Sequence, residues 1–356
     1  SIFLFASLFG MNYMAAMIIS AIVIVGYTAT GGFLAASITD FIQSIIMSVA
    51  LIIVLIFGVN VAGGLDAVVD NAKALPGYLS MFQSYDVATG TASPYRLLTI
   101  CSTLAWGLGY FGMPHILLRF MAIEDEKKLT LSRRIAIVWV VISMAVAVFI
   151  GVIGYSMSKV GAIDVLEGSN SETIIVRIAD LLSRHGVIFA LLAGVILAGI
   201  LASTMSTADS QLLAASSAVS SDMLNRNGKS GIIAARITLL LIAVFSVILA
   251  RNPNSSVFQI VSFAWAGFGA AFGPVVLFAL FWRRTNKYGA LAGMLSGGVM
   301  IFVWKYLVRP LGGAWNIYEL LPAFIVACVA IVVFSLATPA PDQSVLDEFD
   351  RAASGK

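Results

Sequence analysis

The chain has 356 residues, 60% of them hydrophobic and 11% charged, with a mean hydropathy of +0.98. A soluble domain carries about a quarter charged residues, so this composition points to a polytopic membrane protein. The net charge of +3 comes without a clustered basic stripe, which speaks against nucleic-acid binding.

The chain opens at Ser1, and Ile2–Phe9 reads as the tail of an earlier helix rather than a signal peptide, because no basic segment precedes it. The expectation is a chain whose first helices are missing. A membrane crossing needs about 20 mostly apolar residues. Nine stretches qualify in chain order: Met11–Thr30, Phe33–Asn60, Tyr95–Arg119, Ile135–Met157, Val187–Val219, Ile232–Ala250, Val257–Trp282, Gly289–Leu307 and Ile317–Leu336. The third and fifth are interrupted by glycine, proline or hydroxyl residues.

Three links are basic: Met121–Arg134 with Lys127, Lys128, Arg133 and Arg134; Ser221–Ala235 with Arg226 and Lys229; and Arg283–Tyr288 with Arg283, Arg284 and Lys287. Short basic links stay in the cytoplasm, which predicts an inner location for them and for the C-terminus. Two opposite links are long. Asp66–Asp86 contains the turn signal Pro76-Gly77. Ser171–Arg184 places Ile174, Ile175, Ile178, Leu181 and Leu182 at helical spacing opposite Arg177, Asp180 and Arg184. This is an amphipathic helix that either caps the bundle or lies as a lid over the outer vestibule. After Thr338 the chain reads as a short polar tail. Cys101 and Cys328 sit in apolar runs and read as buried thiols. His115 and His185 have no metal-ligand spacing.

Four stretches could carry chemistry. Asp40, in GGFLAASITDFIQ, is a carboxylate within the second crossing, where such groups are costly. It reads either as a helix cap or partner of Arg133 or Arg134, or as a cation contact on the inner path.

The stretch WGLGYFGMPHILLR, Trp106–Arg119, holds Gly107, Gly109, Gly112 and Pro114 within one crossing. Proline removes a helical hydrogen bond. A helix broken at membrane depth is tolerated where its freed backbone lines a cavity or meets neighbours. Trp106 and Tyr110, four apart, are expected on one helix face. The reading is a discontinuous helix receiving a small polar solute at Trp106, Tyr110 and Pro114.

In GILASTMSTADSQLLAASS, Ser203, Ser206, Thr207 and Ser210 recur at i, i+3, i+4 and i+7. Their hydroxyls, with a backbone carbonyl, are hard oxygen donors suited to an alkali cation. Asp209 and Ser210, with Asp40, form a possible second contact. In FAWAGFGAAFGP, Gly267, Gly269, Gly273 and Pro274 predict a bent, closely packed helix, with Trp265 as a possible cavity wall.

Together these motifs, with GALAGM, resemble the sodium:solute symporter family over almost the whole chain, and within it the carriers of proline. The resemblance implies an all-α, LeuT-like inverted-repeat transporter fold forming one membrane transport domain. Residues 1–60 would be the last two helices of the first repeat, 95–282 the second five-helix repeat, 289–336 two extra helices and 337–356 a cytoplasmic tail. It implies sodium as the coupling ion, with Ser206, Thr207 and the Ser203 carbonyl as ligands. Asp40, Asp209 and Ser210 would serve a second sodium site or inner path. Trp106, Tyr110 and Pro114 would line the solute site.

L-proline uptake across the cell membrane is the implied activity, with the bilayer as surroundings and no protein partner. Asp209 departs from proline carriers that have a small neutral residue there. Another small solute (a different amino acid, pantothenate or a sugar) is the alternative within the class. A sensor input module needs a longer tail. An intramembrane hydrolase would need a supporting motif around Asp40 and Asp209.

Overall fold

The computed structural model describes residues 12–225, 228–250 and 257–354. The expected helix tail Ile2–Phe9, Arg226 of one basic link and residues 251–256 between the sixth and seventh crossings lie outside them. Seven helices among the described residues are long and apolar enough to cross a membrane, against nine predicted crossings. Two local features account for the difference.

The first is α1, Tyr13–Val61, which joins the first two predicted crossings. It begins at Asn12, whose side chain accepts from the Met14 N–H at 2.8 Å. Its 49 residues would extend about 73 Å at 1.5 Å per residue, over twice the hydrocarbon thickness of about 30 Å. Gly32, at φ 62° and ψ −162°, breaks it, a conformation only glycine adopts without cost. The expected boundary at Gly31-Gly32 is thus a sharp kink, not a loop.

The second is the third predicted crossing. It divides into α3, Leu97–Leu104, a 3-10 helix, Ala105–Gly112, and α4, Pro114–Met121. None of these pieces spans alone. The fully helical crossings that remain are α5, Leu129–Lys159; α7, Val187–Ser217; α8, Gly228–Leu249; α9, Val257–Phe281; α10, Lys287–Val303; and α11, Leu320–Ala337.

The contacts define two compact bodies. Of the described residues, the first holds 12–79, 123–225 and 228–250, and α1 with α7 forms its most extensive helix pair. Its core gathers Val54, Ile150, Ile153, Met157 and Ile196. Gly199 of α7 lies where any side chain would strike Ala50; small residues of this kind let membrane helices approach closely. α2, Leu65–Lys73, and α6, Ile174–Ser183, are short amphipathic helices that insert Val68, and Ile178 with Leu182, into the same core. α6 therefore caps the body instead of lying free as a lid. Outward, large apolar side chains such as Leu34 and Phe41 are exposed, as suits a protein whose solvent is lipid.

Of the described residues, the second body holds 80–122 and 257–354. An antiparallel hairpin, β1 Gln83–Asp86 with β2 Thr91–Pro94, turns through Gly90 at φ 68°. Its core is Ala266, Ala270, Ile301, Leu320, Ala323 and Phe324. Gly289 and Gly293 seat α10 on Ser335 and Ile331 of α11, and Gly297 on the Ala270 carbonyl.

The short polar tail contains a helix, α12, Gln343–Ser354. Arg283 grips Asp350 with two hydrogen bonds, Nε to Oδ1 at 2.9 Å and an Nη to Oδ2 at 2.8 Å. Arg284 donates to the Thr338 carbonyl at 2.7 Å, and the Asn286 amide to the Thr338 hydroxyl and the Pro339 carbonyl, both at 2.7 Å. The basic link thus binds the tail.

Candidate solute and cation sites

In the second body the unwound segment carries Trp106 and Tyr110. After Gly112 the chain becomes extended at Met113, φ −84° and ψ 109°, and Pro114 opens α4 at its first position. Proline is favoured there because its missing N–H would have no helical acceptor. The discontinuity is therefore real, and it sits where the glycines and proline predicted it.

Glycines determine how this segment docks on α9. A Cβ on Gly109 would collide with the Trp265 indole, and one on Gly112 with the Phe268 carbonyl and the Gly269 backbone. Trp265 is stacked on Trp106 at 5.4 Å and 13°, and Tyr110 meets it edge-on at 4.7 Å. Its Nε1 donates to the Trp106 carbonyl at 2.9 Å.

Two expectations are modified. Trp106 and Tyr110 lie in a 3-10 helix, which has three residues per turn. They do not share an α-helical face, and Trp265 joins them instead. Trp265, expected as a possible cavity wall, bonds to and stacks on the broken segment itself. Trp106 further stacks on Phe258 at 5.7 Å and Tyr318 at 6.1 Å. Tyr110 keeps 49% of its surface exposed, so part of its ring is open to a ligand.

In the first body the hydroxyl face of α7 behaves as follows. Ser206 Oγ and Thr207 Oγ1 each donate to the Ser203 carbonyl at 3.2 Å. This back-bonding is the ordinary habit of hydroxyl residues in a membrane helix. It also gathers three oxygens, and a hydroxyl that donates its proton keeps lone pairs for a cation. Ser203 and Thr207 are exposed on this body and Ser206 is half-buried. Ser210 Oγ donates to the Ser206 carbonyl at 2.8 Å. The donor set fits an alkali cation: hydroxyl and carbonyl oxygens without thiolate or imidazole.

Asp209 is fully buried. Tyr27 of α1 donates its hydroxyl proton to Asp209 Oδ2 at 2.8 Å, and Ser210 Oγ lies 3.3 Å from Oδ1. Asp40, half-buried in the second half of α1, is near enough to act electrostatically on both Asp209 and Tyr27. Two tethers thus hold the first half of α1, since Arg236 Nε of α8 also donates to the Ala29 carbonyl at 2.9 Å, just ahead of Gly32.

Tyr27, Tyr318 and Glu319 escaped the sequence reading, and Arg236 entered it only as a charge beside the inner link. Two of them left a signal: Glu319 is a carboxylate inside the predicted Ile317–Leu336 crossing, and Arg236 a guanidinium inside Ile232–Ala250.

Long apolar helices, a crossing broken at Met113 and a buried carboxylate ringed by hydroxyls define a multi-pass membrane protein of transporter architecture. Known proteins agree. The sodium:solute symporter family matches residues 2–297. A sodium/proline symporter of Haemophilus influenzae is 40% identical over 98% of this chain and 69% of its own length. The osmoregulated proline transporter OpuE of Bacillus subtilis is 37% identical over 95% of this chain and 66% of its own. A solved sodium-coupled sialic acid symporter, 15% identical, superposes with a TM-score of 0.71 over 96% of this chain and 70% of its own, and so shares the fold. The chain belongs to the sodium:solute symporter family, and it spans about two thirds of the length of these relatives.

Proposed function

We propose that the complete protein is a cell-membrane symporter that couples inward sodium flow to uptake of L-proline, and that it is a carrier and not an enzyme. The observation that carries this reading is the match, over 98% of the chain, to a protein named as a sodium/proline symporter.

The geometry supports separate roles. Ser206, Thr207 and the Ser203 carbonyl hold sodium. Asp40, Asp209 and Ser210 serve a second sodium contact or its inner path. Trp106, Tyr110 and Pro114 receive the solute, whose small apolar ring suits an aromatic surface. Residues 1–60 are the end of a first repeat and 95–282 the second. The grip of the basic Arg283–Tyr288 link on α12 supports a cytoplasmic C-terminus. Sodium and solute raise each other's affinity reciprocally, a coupling of about 1–3 kcal/mol in typical cases.

The test is uptake of labelled proline by the full-length protein in proteoliposomes, with and without a sodium gradient and against a panel of competing solutes. Ser206→Ala and Thr207→Ala each raise the sodium concentration for half-maximal uptake while leaving expression unchanged. Failure of proline to be carried removes the solute assignment, and unchanged sodium dependence in both variants removes the ligand assignment.

A further inference from the structure

The connector between α10 and α11 is a built structure. It runs through a π-helical turn, Trp304–Val308, and two 3-10 turns, Arg309–Leu311 and Gly313–Trp315, before reaching Tyr318 and Glu319. The Glu319 side chain is only 2% exposed, with an Arg309 Nη 2.7 Å from Oε2 and Lys305 Nζ 3.8 Å from Oε1. Arg309 Nε also donates to Asn316 Oδ1 at 3.1 Å. The Lys305 ammonium sits 3.8 Å above the Phe263 ring of α9. A carboxylate this buried is tolerable only with its cations in place, so Glu319 fixes the course of the connector.

What it fixes is Tyr318. The backbone N–H of Tyr318 donates to Ser102 Oγ of α3 at 3.1 Å. Its hydroxyl donates to the Ser262 carbonyl of α9 at 2.6 Å. Its ring stacks on Trp106 at 16°. Tyr318 therefore ties together the helix that leads into the break, the helix that carries Trp265, and Trp106 itself. Ser262 lies about one turn before Trp265 on the same helix.

We infer that Tyr318, set by the Glu319–Arg309 ion pair, is a positioning residue for the solute site, and that the α10–α11 connector helps determine which ring sizes the carrier accepts. The inference rests on the proposed solute role of Trp106 and Tyr110. A displaced Tyr318 ring releases one face contact of Trp106, and aromatic pairs of this kind are specific in geometry.

The test uses the full-length protein in proteoliposomes. Tyr318→Leu raises the proline concentration for half-maximal uptake about tenfold, equivalent to about 1.4 kcal/mol, while the maximal rate and the sodium half-saturation stay within about twofold of wild type. It also narrows the preference for proline over its four-membered-ring homologue. Tyr318→Phe, which keeps the ring and loses the Ser262 bond, restores most of the affinity. Glu319→Gln shifts proline affinity in the same direction as Tyr318→Leu.

Should Tyr318→Leu not reach the membrane, Glu319→Gln decides: proline affinity and ring-size preference both identical to wild type overturn the inference. So does a parallel rise of the sodium and proline constants, which marks a merely structural role. Absence of proline uptake by the wild-type protein overturns the proposed function, and this inference falls with it.

Discussion

Removing the Tyr27 hydroxyl tests the carboxylate centre of the first body directly. Tyr27→Phe keeps the ring volume, so it creates no cavity and changes one interaction. The hydroxyl proton serves Asp209 Oδ2 at 2.8 Å, while the Met205 carbonyl at 3.4 Å is a secondary neighbour. Asp209 is fully buried, so water cannot replace the lost donor. A hydrogen bond to a charged group contributes about 1.5–3 kcal/mol, and an acceptor left without its donor costs a similar amount. The expected loss is about 2 kcal/mol, a factor of roughly 30 in equilibrium. In a chain of this size that lowers the apparent melting temperature by roughly 3 °C. The assay is a thermal melt of the full-length protein in detergent, run as a double-mutant cycle with Asp209→Leu. In that background the carboxylate is gone, and Tyr27→Phe should shift the melt by less than about 0.5 kcal/mol equivalent. A wild-type melt for Tyr27→Phe, or an undiminished shift beside Asp209→Leu, refutes the assignment.

The two glycines of the unwound segment should behave oppositely. Gly109→Ala drives a methyl group into the Trp265 indole, which is tethered to the Trp106 carbonyl and cannot swing aside. Overpacking of this kind costs about 1–3 kcal/mol. Gly107 faces open space, so Gly107→Ala should melt and transport as wild type, and equal behaviour of the pair in melts and uptake would contradict the packing.

At the C-terminus, the Arg283 guanidinium holds the Asp350 carboxyl below its ordinary range. A carboxylate depressed on folding adds stability above its unfolded value of about 3.9 and loses it as pH falls through the lower folded value. Docking of α12 should therefore be constant from about pH 5 to 8 and weaken only in stronger acid. Arg283→Ala should free α12 at neutral pH, read as faster proteolytic cleavage between α11 and α12, and an unchanged cleavage rate rules the clamp out.

Much of this architecture was legible because hydrocarbon imposes strict rules. Runs of about 20 apolar residues have few alternatives to a crossing, and the segment from Gly107 to Pro114 announced its break by composition alone. Length was less informative at Gly32. Two glycines separate two crossings equally well as a loop or as a kink, and only the dihedral angles decide. The C-terminal helix was illegible for a different reason. Its apolar face is short, and what holds it is a pair of bonds from Arg283 and contacts from Arg284 and Asn286, more than fifty residues earlier in sequence. The hydroxyl spacing from Ser203 to Ser210 was plain, but its immediate use was not. The same periodicity suits back-bonding, which ends on the Ser203 carbonyl, and the proposed cation site alike.

The residues whose bonding the sequence did not show share one physical role. Tyr27 serves a buried carboxylate, Trp265 the carbonyl of Trp106 in the unwound segment, and Arg236 the Ala29 carbonyl beside the Gly32 kink. At membrane depth water is not there to meet such groups, and each one left alone costs several kcal/mol. A break in a membrane helix therefore creates an obligation that some distant side chain must discharge. Sequence shows where the obligation arises, because glycine, proline and carboxylate are conspicuous in an apolar run. It does not show who discharges it, because a tyrosine, tryptophan or arginine is unexceptional in its own helix. The same logic implies that Trp265 is committed: as long as its indole N–H serves the Trp106 carbonyl, it cannot swing freely as a gate. Any rearrangement that moves Trp265 away must bring another donor to that carbonyl, and a bound solute carrying an N–H is one group able to supply it.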